Sequence, residues 1–153
     1  MTAEAFLDSS VLLYAVSRDA AEAGKRTRAR ELLATAGIGF STQVFSEFYV
    51  NATRKLVPRL AHDEAVAILD PLRILPVQPV TLSVIWAALD LSVRARLSLW
   101  DAMILVAARA LGCRTVWSED LNAGQVYDGV QVLNPFADGA SPKRTRAPRR
   151  IRG

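Results

Sequence analysis

With one cysteine and one histidine in 153 residues, the chain has little means for thiol or soft-metal chemistry. A lone Cys113 cannot close an intramolecular disulfide, and no Cys or His cluster surrounds it, which argues against a zinc site. Cys113 reads as a small buried residue. The single His62 falls in "LAHDEA", the polar entry to a predicted helix, and reads as a surface residue and not a catalytic base. Long hydrophobic runs are also missing. Ala102 to Ala108 is the longest, far too short to span a bilayer, although 51% of the residues are hydrophobic. The N-terminal "MTAEAFLD" lacks a basic n-region and enters a strand at once. Export and a membrane partner are therefore not expected, and a cytoplasmic location is.

What is there begins with charge. The formal net charge of +4 is unevenly placed. Residues 137–153, "ADGASPKRTRAPRRIRG", hold Lys143, Arg144, Arg146, Arg149, Arg150 and Arg152 against Asp138 alone, so the rest of the chain is close to neutral. With Pro142, Pro148 and almost no apolar content, this tail is expected to be disordered. Two roles stay open for it: added salt-dependent affinity for a nucleic-acid backbone, or a solubilising end.

Before the tail, strands and helices alternate. "EAFLD", "IGFS", "RILPVQP" and "RTVWS" read as strands, with "VQVLNPF" as an edge strand at the close. Helices are predicted at "SSVLLYAV", at Ala21–Ala36, through "TQVFSEFYVNATRKL" and "DEAVAILDPL", and at Ser83–Leu97 and Leu99–Leu111. This alternation predicts one α/β domain over residues 1–136, with a short, mostly parallel sheet flanked by helices. Ligands of such sheets collect at the carboxyl ends of the strands.

Acidic residues recur at that edge. Asp8 ends the first strand and reads either as the cap of the following helix or as a metal ligand. Asp101 lies in "SLWDAMILVAARAL", apolar on almost every side, three residues after Ser98. That spacing fits a helix cap, yet the carboxylate shares a stripe with Leu105 and Ala108, where an ion needs a partner. Glu47 falls opposite the apolar face of its helix, beside Asn51 and Arg54, which favours a solvent-facing role on pattern alone. Asp120 in "WSEDLNAG" suits a turn, and Ser118 offers a hydroxyl that can orient a carboxylate. Gathered in one cleft, such carboxylates repel one another, and a divalent cation removes the conflict. All-oxygen donors point to Mg²⁺ or Mn²⁺, and the chemistry that suits them is phosphodiester hydrolysis.

Four stretches in order, "FLDSSVLLYA", "SEFY", "LSLWDAMILVAA" and "TVWSEDLNAGQVYDGVQVLNPF", resemble the motifs of PIN-domain ribonucleases, above all the toxins of VapBC-type toxin–antitoxin modules. The likeness spans about residues 4–136. It implies a PIN-like three-layer fold and a Mg²⁺- or Mn²⁺-dependent endoribonuclease acting on RNA. Asp8, Glu47, Asp101 and Asp120 match the acidic quartet that holds the metal, and Ser118 matches the supporting Ser/Thr position. Ser10 stands where many members carry Asn and still supplies a hydrogen-bonding group, while Glu119 matches no ligand. The resemblance also implies a homodimer and a cognate VapB-like antitoxin. The alternatives are a catalytically weak RNA-binding module that uses the tail, or another metal-dependent phosphodiesterase.

Overall fold

The computed structural model describes residues 1–137, so the expected tail, apart from Ala137, lies outside the described residues. In chain order the elements are β1 (Ala5–Leu7), α1 (Ser9–Ala15), α2 (Ala23–Leu33), β2 (Ile38–Ser41), α3 (Thr42–Arg54) and α4 (His62–Leu69). They continue with β3 (Val77–Gln78), α5 (Leu82–Ala95), α6 (Leu99–Ala110), β4 (Thr115–Trp117), β5 (Val126–Tyr127) and β6 (Val130–Leu133). Local chemistry sets the helix starts. Asp8, Ser41, Thr81 and Ser98 each place a side-chain oxygen on a backbone N–H of the first turn of α1, α3, α5 and α6.

The strands form one sheet in the order β3-β2-β1-β4-β6-β5. Every pairing is parallel except β5 with β6. Register is fixed at the centre, where Ala5 faces Ile38 on one side and Thr115 on the other. The path from β1 through β2 to β3 moves one way across the sheet, and the path from β3 to β4 returns. Right-handed crossovers therefore put α1–α4 on one face and α5–α6 on the other. The packing agrees: α1 lies against α2 and α3, while α5 lies against α6, which also contacts β2, β4 and β6. The result is the expected three-layer α/β fold.

Phe6, Phe40, Phe48, Leu105, Leu111 and Val116 are fully buried and tie the sheet to both helical layers. Cys113 is buried, as expected, and desolvation pushes its thiol pKa up to about 12. His62 opens α4 on the surface, with its Nδ1 2.9 Å from the Tyr49 hydroxyl. Among the described residues no helix is long and apolar enough to cross a membrane.

Four expectations need correction. The closing strand β6 is not at the sheet's edge, because the antiparallel pair β5–β6 covers it and makes the unexpected two-residue β5 the outer strand. Gly129 at φ +84° and Asp128 at φ +47° form the two-residue turn between them, a signal available in "YDGV". The helix placed at Ala21–Ala36 opens as a 3-10 turn, Ala20–Glu22, and is α-helical only over α2. "DEAVAILDPL" is likewise divided, α4 being followed by a 3-10 segment, Asp70–Ile74, where Pro71 removes an amide donor. α6 does have a solvent side, since Trp100 is 64% exposed.

Gly39, in β2, has no room for a side chain. A Cβ there would meet the Ala3 Cβ at 2.8 Å, Leu111 Cδ1 at 2.9 Å and the Pro76 carbonyl oxygen at 3.1 Å. Gly39→Ala should therefore destabilise the fold by about 1–3 kcal/mol. Urea unfolding checks this: a lower midpoint at constant slope is expected, and an unchanged midpoint contradicts it.

Candidate active site

The carboxyl ends of β1 and β4 lie side by side, and the residues that follow them meet. Asp8 leaves β1 with its N–H on the Trp117 carbonyl at 3.0 Å, and Ser118 leaves β4 with its N–H on the Leu133 carbonyl at 3.0 Å. Glu47 enters from the second turn of α3, which begins where β2 ends. α6 runs from this edge back towards the start of β4, so Asp101, in its first turn, also stands at the carboxyl edge.

A chain of hydrogen bonds links these elements. Asp8 is only 5% exposed, and both its oxygens are held: Oδ1 accepts from the Ser9 N–H at 2.7 Å and Oδ2 from the Ser118 hydroxyl at 2.6 Å. Ser118 Oγ in turn accepts from the N–H groups of Asp120 at 3.1 Å and Leu121 at 3.3 Å. One hydroxyl thus fixes the buried carboxylate against the turn that carries Asp120. On the other side, Ser9 Oγ donates to Glu47 Oε2 at 3.3 Å. Gln43 Nε2 donates to Glu47 Oε1 at 2.8 Å and to the Trp100 carbonyl at 3.1 Å. Ser10 Oγ accepts from the Glu119 N–H at 3.4 Å and steadies the same turn.

The electrostatics follow from crowding. Burial pushes the Asp8 pKa up to about 6; the Ser118 and Ser9 bonds oppose this, and the charges of Glu47 and Asp120 add to it. Asp120, at the exposed rim, also has a raised pKa, from partial desolvation and then from Glu119 and Asp101. Glu119 is differently placed. Its Oε2 receives Lys25 Nζ at 3.0 Å and its Oε1 the Tyr14 hydroxyl at 2.9 Å, so its charge is already paired. Beside this trio opens a cavity of about 250 Å³ lined by Ser10, Leu13, Tyr14, Glu22, Leu56, Glu119 and Asp120.

All four carboxylates expected from the sequence therefore reach one edge of the sheet. Pattern alone misjudged two of them. Glu47 is half-buried and faces the site, where Ser9 and Gln43 hold its carboxylate; Asp101 is half-buried and not enclosed, with Ser98 Oγ accepting its N–H at 3.1 Å as the cap spacing implies. Two participants were missed, Ser9 and Gln43. The four-residue spacing of Gln43 from Glu47 was a signal for the second.

The donor set suits a hard divalent cation: every group is an oxygen, and Asp8 and Asp120 each feel like charges. Among the described residues, no three His, Cys, Asp or Glu side chains are drawn close enough as they stand to hold a metal ion.

A family model of the PIN domain matches residues 5–129. Three solved structures share the fold. The Mycobacterium tuberculosis toxin VapC20, described as cleaving the sarcin–ricin loop, is 23% identical with a TM-score of 0.60, covering 76% of this chain and 92% of its own. FitAB bound to a DNA fragment is 17% identical with a TM-score of 0.65, covering 87% and 96%. DNA-bound VapBC from Salmonella typhimurium is 18% identical with a TM-score of 0.60, covering 86% and 97%. No curated protein matches the chain.

The raised pKa of Asp8 fixes a sign. A carboxyl that titrates at about 6 when folded and near its ordinary 3.8 when unfolded stabilises the fold only while protonated. That contribution is complete below pH 3.8 and is lost as the pH rises through 6, a swing of about 3 kcal/mol. In metal-free buffer, Asp8→Asn should therefore raise the melting temperature at pH 7.5, with the gain shrinking towards pH 4. A melting temperature lowered equally at both pH values contradicts this.

Proposed function

We propose a function from the premise that the chain belongs to the PIN domain family: a Mg²⁺- or Mn²⁺-dependent endoribonuclease, the toxin of a VapBC-type pair, inhibited by a cognate VapB-like antitoxin. The observation that carries this reading is the hydrogen-bonded chain Gln43–Glu47–Ser9–Asp8–Ser118–Asp120, which strings carboxylates along one edge while burial and like charge push the Asp8 pKa up. A site arranged in this way favours a cation over its absence.

In this reading Asp8, Glu47, Asp101 and Asp120 hold the ion. Bound there, it would supply positive charge to a phosphodiester and make water a better nucleophile. The protein's own part is positional. Ser118 and the Ser9 N–H keep both Asp8 oxygens in place, Ser9 and Gln43 aim Glu47, and Ser10 steadies the turn before Asp120. Glu119, engaged by Lys25 and Tyr14, stays outside the ligand set.

The nuclease unit in this proposal is residues 1–136, with residues 137–153 as a basic tail, acting in the cytoplasm on an RNA substrate. A homodimer is part of the same reading. It is supported by Leu82, Trp86, Leu89 and Val93, which recur at helical spacing on α5 and are all exposed. The antitoxin is proposed from the resemblance and from neighbours described as VapBC and FitAB.

RNA cleavage by purified protein with Mn²⁺, beside an EDTA control and Asp101→Asn, tests the function. The wild type should cut RNA, EDTA should abolish cutting, and the folded variant should be slower by about two orders of magnitude or more. Equal cleavage by wild type and Asp101→Asn would contradict the reading.

A further inference from the structure

Gln43 lies one turn before Glu47 on α3 and is 7% exposed. Its two N–H bonds go to the Glu47 carboxylate and the Trp100 carbonyl. An ionised carboxylate and a backbone carbonyl only accept, so the amide cannot be turned over: its nitrogen must face both partners. Oε1 is then left buried without a donor, the one side-chain nitrogen or oxygen in that condition among the described residues. A buried carbonyl without a partner is unfavourable, and native folds rarely keep one without a reason.

Its surroundings supply the reason. The amide spans from Glu47 on α3 to the first turn of α6, one residue before Asp101. It therefore joins two helices that each carry a proposed ligand, and it sits among acceptors with no donor of its own to spare. A hydrated divalent cation brings what is missing, because Mg²⁺ and Mn²⁺ retain water ligands whose O–H groups are strong donors.

We propose that Gln43 is a positioning residue of the metal centre: it holds Glu47 in register with the Asp101 turn, and its Oε1 accepts a hydrogen bond from the hydration shell of the bound cation. The inference rests on the metal-dependent reading above and extends it to a residue outside the acidic quartet. Groups that orient ligands in this way alter metal affinity by about 10–100-fold when removed.

The test is Mn²⁺ titration by calorimetry on metal-free wild type, Gln43→Met, Glu47→Gln and the double variant, with melting temperatures in EDTA. Gln43→Met should raise the Mn²⁺ Kd about 10–100-fold while its metal-free melting temperature stays near wild type. Acting through Glu47, it should be non-additive: the double variant should bind better than the product of the two single losses predicts. A merely structural Gln43 would give a lower melting temperature with an unchanged Kd, and that result overturns the proposal. If Glu47→Gln itself leaves Mn²⁺ binding unchanged, the metal reading fails as a whole; if only Glu47→Gln weakens it, the role of Gln43 fails alone. Should Gln43→Met not fold, Gln43→Asn, one methylene too short to reach both partners, replaces it, and wild-type affinity there overturns the proposal.

Discussion

The site depends on a single buried carboxylate at the end of the central strand. Asp8 is nearly withdrawn from water, yet the fold gives it a backbone N–H and a serine hydroxyl and, among the described residues, no basic side chain at hydrogen-bond distance. Desolvation on this scale ordinarily ends in protonation or in pairing with an opposite charge. Here the fold does neither fully: it raises the pKa to about 6 and places further carboxylates around it. Parallel pairing of β1 with β4 brings Ser118 beside Asp8, and the same hydroxyl anchors the turn that carries Asp120. This uncompensated negative charge thus begins in sheet topology and in the placing of a few hydroxyl groups.

Two adjacent acidic residues show how context divides roles. Glu119 and Asp120 share a turn, but Glu119 points to Lys25 and Tyr14, with Lys25 Nζ also lying 4.6 Å from the centre of the Tyr14 ring. Its charge is compensated by protein. Asp120 has no ion pair among those formed by the described residues and feels the charges of Glu119 and Asp101. The compensated carboxylate serves structure, and the uncompensated one belongs to the acidic edge.

Much of this was legible in the sequence because local rules and the global fold agree. Strand–helix alternation gave the layers, and the Ser98–Asp101 spacing gave the start of α6. What escaped was decided by tertiary placement. Glu47 reads as solvent-facing on its helix alone, and only the packing of α3 beside α1 brings its carboxylate to Ser9, next to Asp8. For Gln43 the spacing from Glu47 is the one local signal, since an amide is neither apolar nor charged. Its role depends on α6, fifty-seven residues further along, coming within 3.1 Å. The place of β5 outside β6 was set by a short hairpin, whose signal lies in the turn residues Asp128 and Gly129 and not in a hydrophobic run.

The central claim is that this acidic edge holds divalent metal. The most direct measurement is anomalous diffraction from crystals equilibrated with Mn²⁺. The account predicts a manganese peak ligated by Asp8 and by oxygens of the Glu47, Asp101 and Asp120 cluster. A fully occupied manganese site elsewhere on the protein, with none at this edge, would contradict it.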